Sequence, residues 1–177
     1  MTNLRIRLMQ PGEVEAVAAA LEQTGGQISA RWREHELGFR EVLLAEIDGL
    51  TVGTVSISER QSADAIDMHV SSFEVAPPWR GKGIGGALID HVVEAARRRE
   101  MQRIYLDVRI DNPARRLYHR HGFRRVGGAF LNTWWRFEAD GGQLRVEELS
   151  YRMVKRLRFQ GRLVSRSPVL AGSVAAS

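Results

Sequence analysis

Four closely spaced glycines, set between a strand-like stretch and a helical one, constrain this chain more than any other feature. Residues 67–75 read as a strand that Pro77-Pro78 stops. Gly81, Gly83, Gly85 and Gly86 follow. Ile84, Leu88, Val92 and Ala95 then recur at helical spacing, widened by Ile89, Val93 and Ala96. A strand, a glycine turn and an amphipathic helix in that order suit an anion. Glycine lets main-chain N–H groups approach closely, and the helix start adds positive potential. Arg80 and Lys82 bring formal charge to the same turn.

The phosphate ligand is a separate question. Gly81-x-Gly83-x-x-Gly86 satisfies the dinucleotide fingerprint, and Asp107 stands about 20 residues further on, where an acidic ribose partner belongs. Against that reading, Ala76 to Arg80 separate the strand from the glycines, whereas a dinucleotide turn leaves its strand directly. A nucleoside triphosphate loop needs Gly-Lys followed by Ser or Thr, and Lys82 is followed by Gly83. The dinucleotide reading is weakened, and a pyrophosphate cradle at a helix start and a ligand-free turn stand beside it.

The rest of the chain alternates elements. Leu4, Ile6 and Leu8 form a strand pattern broken by Pro11-Gly12. Val14, Val17, Ala18 and Leu21 form a helix with Gly25-Gly26 as its stop signal, and a second helix is expected over 29–37. Strands on either side of Asp48-Gly49 make a hairpin, followed by a polar stretch over 59–64. Ile104, Leu106 and Val108 mark a strand. A helix from Pro113 to His121 ends at Gly122, a strand region begins at Phe123, and a last strand covers 149–154. The order is β-α-α-β-β-β-α-β-α-β-β, a mixed α/β (α+β) single domain.

Composition removes several functions. The 177 residues contain no cysteine, which excludes thiol nucleophiles and cysteine-ligated metal, and the histidines show no H-E-x-x-H spacing, so no metal is expected. No apolar run is long enough to span a membrane, and the amino terminus lacks a signal-peptide core, giving a cytoplasmic expectation without a membrane partner. The net charge of +5 lies in Lys155, Arg156, Arg158, Arg162 and Arg166. The body is formally neutral, and no nucleic-acid partner is expected. The domain is assigned to 1–156, with 157–177 a basic, flexible tail.

The string VAPPWRGKGIGGALIDHVVEAARRR resembles the GCN5-related N-acetyltransferase (GNAT) family, whose fingerprint Q/R-x-x-G-x-G/A follows a strand ending V-x-P. Val75-Ala76-Pro77 and Arg80-Gly81-Lys82-Gly83-Ile84-Gly85 fit it. The segment YLDVRIDNPARRLYHRHGF is similar to the family's second segment, ending in Tyr118, Gly122 and Phe123. Asn112 stands one residue closer to Tyr118 than is usual. The nearest likeness is to the peptide N-terminal branch, including the ribosomal-protein alanine acetyltransferases.

The resemblance implies a strongly twisted mixed sheet of about seven strands with about four helices, splayed between strands 4 and 5 around acetyl-CoA. It puts pyrophosphate on the N–H groups of Arg80, Gly81, Lys82, Gly83, Ile84 and Gly85, the pantetheine arm on Val75, and a cofactor contact on Asn112. It also implies N-acetylation of a primary amine, on a small molecule or peptide, by direct attack in a ternary complex. Tyr118 is then the general acid and a cofactor contact, while Asp107, Glu74 or a water chain serves as base. Trp32, Trp134 and Trp135 are candidates for an acceptor pocket, for core packing or for a dimer contact; a homodimer is left open. The alternatives are a noncatalytic acyl-CoA-binding or regulatory domain and, third, a nicotinamide-dependent oxidoreductase.

Overall fold

The computed structural model describes residues 3–61, 66–138 and 140–158. Strand β1 (Leu4–Leu8) and helices α1 (Val14–Ala20) and α2 (Gly25–Glu36) precede the hairpin of β2 (Glu41–Ile47) and β3 (Leu50–Gln61). Next come β4 (Ile66–Val75), α3 (Ile84–Arg98), β5 (Arg103–Arg109), α4 (Arg115–Arg120) and a long hairpin of β6 (Arg124–Phe137) and β7 (Gln143–Arg156). The expected element order holds. Asp48 (φ 50°) and Gly49 (φ 82°) supply the two positive backbone angles that a tight hairpin turn requires.

The strands form one sheet in the order β1-β2-β3-β4-β5-β7-β6, antiparallel throughout except for the parallel pair β4–β5. That pair runs only from Asp67↔Arg103 to Val70↔Leu106. Beyond it, β4 stays with β3 as far as Val75, and β5 stays with β7 as far as Arg109. The sheet therefore splays between its fourth and fifth strands. A bulge in β4 accompanies the divergence, with Ser72 at φ 48°, a value unusual for a residue with a Cβ.

The bulge changes which side chains face which layer. Met68 and Val70 pack toward α3, and after the extra residue Phe73 and Val75 do so. Glu74 is left facing α1 and α2, where it meets Gln23. On the α3 side, Leu88, Val92 and Ala96 close over Val55, Ile57, Ile104 and Leu106. On the other side Val17, Leu21 and Ile28 cover Val42 and Leu44. Toward the middle of the sheet this second face turns polar, with Thr54 and Ser56 fully buried.

Several boundaries differ from expectation, for local reasons. Gly25-Gly26 opens α2 instead of stopping α1, because Thr24 caps the helix by accepting from Gln27 N. Helix α1 ends through Glu22, left-handed at φ 55°, with Gln23 N bonding back to Ala18 O and Glu22 N to Ala19 O. Strand β3 continues to Gln61 across part of the stretch expected to be polar loop, and β7 begins at Gln143. Leu157 remains packed on the body, its N–H bonded to Gln102 O. The tail expectation from Phe159 onward lies outside the described residues.

Candidate active site

The turn after β4 is built from the residue types that an anion cradle needs. Pro77–Trp79 forms one 3₁₀ turn, and α3 begins at Ile84 without a side-chain cap. The first N–H groups of α3 therefore lack intrahelical acceptors and point out of the helix start. Gly81 (φ 77°) and Gly83 (φ 85°) are left-handed, and a Cβ on either would meet nothing within 4 Å. Backbone angle, not crowding, selects glycine there. Gly85 answers to crowding: a Cβ would lie 2.9 Å from Leu117 Cδ2, so glycine lets α4 approach α3. Gly86 faces the His121 ring in the same contact.

The two cations of the turn are held loosely. Arg80 Nε donates to Val75 O at 2.9 Å, tying the turn to the end of β4. Lys82 Nζ lies 4.8 Å from the centre of the Trp79 ring. These residues fit a pyrophosphate: exposed N–H donors, a helix start and two nearby positive groups.

Where β4 and β5 part, a cleft of about 240 Å³ opens. Ser71, Phe73, Asp107, Asn112, Tyr118 and Glu148 are among its lining residues. Tyr118 reaches it from α4 on the α3 side, wedged edge-on between Phe73 and Phe123 at centroid distances of 5.7 and 6.0 Å. Burial pushes its phenol above the ordinary range, so it stays protonated at neutral pH. Asn112 Oδ1 accepts from Ala114 N at 2.9 Å, an Asx turn that leads into α4. The asparagine oxygen is thereby committed to the chain itself.

The two candidate carboxylates reach the opposite face, one on each side of the splay, in different settings. Asp107 on β5 accepts from both Arg152 Nε and Arg152 Nη2 at 2.9 Å, a bidentate pair. Arg152 also lies over the Tyr105 ring, and Tyr105 stacks on His69. Burial, reinforced by Arg60, Arg152 and Arg40 against Asp107, pushes the His69 imidazole down to about 4. Glu74 lies outside the cleft's lining, one residue past Phe73. Its Oε2 accepts from Gln23 Nε2, and Oε1 has no partner among the described residues. Burial raises its carboxyl above the usual range, opposed by the Gln23 bond and by Arg31 and Arg80.

The structure therefore brings Tyr118, Asp107 and Asn112 to one cleft, while Val75, the glycine turn and Glu74 lie outside its lining. Of the three tryptophans considered for an acceptor pocket, Trp32 packs on the α1–α2 core, Trp134 is half-buried and Trp135 is exposed. Gln23, Arg31, His69 and Arg152 escaped the sequence reading. One signal for Arg31 was present: it falls on the Ile28–Trp32–His35 stripe of α2, a charge on an inward face. Among the described residues no group of acidic or histidine side chains could hold a metal ion, and no helix is long and apolar enough to cross a membrane.

The sequence profile of the acetyltransferase (GNAT) family matches residues 13–123, from the start of α1 to the end of the α4 turn. The chain belongs to the GNAT family. Its relatives include the N-alpha-acetyltransferase RimI of Mycobacterium tuberculosis, 36% identical over 84 residues, which is 47% of this chain and 51% of that protein. The chain thus spans about half the length of that relative, and less of the other curated relatives that it matches. Among solved structures, the ribosomal-protein-S18-alanine N-acetyltransferase of Escherichia coli superposes with TM-score 0.64 at 15% identity, covering 91% of this chain and 98% of that one. A GNAT acetyltransferase of Elizabethkingia anophelis with acetyl-CoA bound gives 0.60 at 16% identity, over 88% and 99%. At these identities the two structures establish the fold, and the GNAT fold is the one described above.

Proposed function

We propose that this protein transfers the acetyl group of acetyl-CoA to a primary amine by direct attack across the β4–β5 splay. One observation carries the reading: an acid, Tyr118, and a carboxylate that the described residues bind on one oxygen only, Glu74, flank the same splay from opposite faces. Acetyl transfer needs that separation, because the amine loses a proton on one side of the thioester and the departing thiolate gains one on the other. Acetyl-CoA supplies the activated acyl carbon and the leaving group.

The residues divide the work. The main-chain N–H groups of Arg80 to Gly85 hold the pyrophosphate, with Arg80 and Lys82 adding charge, and the backbone at Val75 aligns the pantetheine arm. Asn112 offers its remaining amide N–H₂ to the cofactor. A β4 N–H at the bulge receives the oxyanion as the C–N bond forms. Glu74 takes the amine proton, and Tyr118 gives its own to sulfur as the C–S bond breaks; exchange with solvent restores both. Asp107 has both carboxylate oxygens engaged by Arg152. It shapes the acceptor side as a fixed charge pair instead.

An amine such as a peptide amino terminus, with an ordinary pKa of about 7.7–8.0, is neutral often enough at pH 7 for this machinery, whereas a lysine near 10.4 asks more of the base. The likeness to an N-alpha-acetyltransferase supports a peptide amino terminus as the acceptor; the cytoplasm is the proposed setting. Replacing Tyr118 by Phe tests the assignment of the acid. Turnover is expected to fall about 100-fold, within the usual range for a lost acid, while acetyl-CoA affinity stays within about twofold. Unchanged turnover removes Tyr118 from the chemistry.

A further inference from the structure

Glu74 ends a run of side-chain hydrogen bonds drawn from four parts of the chain and closed into a ring by strand pairing. Gln23, just past α1, donates through Nε2 to Glu74 Oε2. Its Oε1 accepts from Arg31 Nη1 of α2 at 3.3 Å. Arg31 Nη2 donates to Thr54 Oγ1 on β3 at 2.8 Å, and Thr54 passes its own hydrogen to Leu43 O at 3.0 Å. Thr54 is the direct cross-strand neighbour of Glu74, which closes the ring. We propose that Gln23, oriented by Arg31, is the positioning residue that fixes Glu74 at the acceptor side of the splay. The inference rests on the reading of Glu74 as the base.

The direction of every bond in the ring follows from the donor inventory. Guanidinium has no acceptor, so the Gln23 oxygen must face Arg31 and its N–H₂ must face Glu74. Arg31 in turn is 4% exposed, with Nε unbonded, and burial pulls its pKa down to about 10. A buried guanidinium this short of partners has little freedom to release the amide. The Schellman turn at Glu22 delivers Gln23 to this place, its N–H spent on Ala18 O.

The ring gives Glu74 a neutral partner, and the contrast with Asp107 shows why that matters. A guanidinium paired directly, as Arg152 is with Asp107, engages both carboxylate oxygens. A neutral amide fixes one oxygen and leaves the other without a hydrogen bond among the described residues. The charged groups that act on Glu74 are Arg31 from α2, Arg80 from the glycine turn and Glu22 beside Gln23. All are present in wild type and in the variant that tests the idea.

Three proteins are compared by the pH profile of amine-dependent thiol release: Gln23→Leu, Glu74→Gln and the double variant. Gln23→Leu is expected to lower kcat about 10-fold, move the acidic limb of the profile to higher pH and leave the KM for acetyl-CoA unchanged, because the bond that it removes favours the ionised carboxylate. Adding Gln23→Leu to Glu74→Gln is expected to cost nothing further. A Gln23→Leu protein with the wild-type limb and kcat, or an equal loss in both backgrounds, overturns the positioning role while leaving Glu74 as base. Full activity in Glu74→Gln overturns both. Thermal stabilisation by acetyl-CoA, measured on each variant, confirms that each is folded.

Discussion

The two halves of the splay are built by different means. On the cofactor side, β4, the glycine turn, α3 and α4 are consecutive in sequence but for β5, and what they need is local: positive backbone angles at Gly81 and Gly83, an uncapped helix start, and a missing side chain at Gly85. On the acceptor side the decisive contacts are remote. Thr24 Oγ1 donates to Phe137 O at 2.7 Å across 113 positions, Gln27 Oε1 receives Phe137 N at 3.0 Å, and Gln23 meets Glu74 across 51. The tip of the β6–β7 hairpin is thereby pinned to the start of α2. On the proposed function, a cofactor common to many enzymes is bound by backbone rules, and a particular acceptor is met by side chains that only the finished fold assembles.

The largest effect expected from this contrast lies on the cofactor side. Gly83→Val forces a β-branched residue to φ 85°, costing about 1–2 kcal/mol of backbone strain and weakening acetyl-CoA binding about 10-fold in a calorimetric titration. Binding unaffected by that substitution would break the assignment of the turn. On the acceptor side, Thr24→Ala removes the α2 cap and the bond to Phe137 together. Stability should drop by about 1 kcal/mol, and the KM for the amine should rise while that for acetyl-CoA stays put. Equal changes in the two KM values would show that the halves are not separable.

The smallest effect concerns pH. His69 has a folded pKa depressed to about 4, so the unfolded chain binds its proton first. Its contribution is intact above the unfolded value of about 6.5 and is lost as pH falls toward 4. Melting temperature should therefore decline over that window, and more steeply in wild type than in His69→Phe, which keeps the ring contact with Tyr105. Parallel curves would contradict the buried, neutral imidazole.

The same contrast explains what the amino-acid sequence discloses. The element order, the glycine turn, Tyr118 and Asp107 are legible because periodicity and motif spacing are properties of neighbouring residues. Gly25-Gly26 misleads as a helix stop because Glu22 ends α1 in a conformation that glycine ordinarily supplies, and Thr24 then starts α2. The ring through Gln23, Arg31 and Thr54 is invisible for a different reason. Its members are commonplace polar residues, and only the β4 bulge, by turning Glu74 toward α2, makes them neighbours.

Amine-dependent release of thiol from acetyl-CoA tests the central claim most directly, measured over peptides with free amino termini, polyamines, amino acids and aminoglycosides. Acetyl transfer across the splay predicts saturable release with at least one class, lowered about 100-fold in Glu74→Gln while acetyl-CoA still raises the melting temperature. Stabilisation by acetyl-CoA without release for any primary amine would contradict it, and would make the protein an acyl-CoA-binding domain.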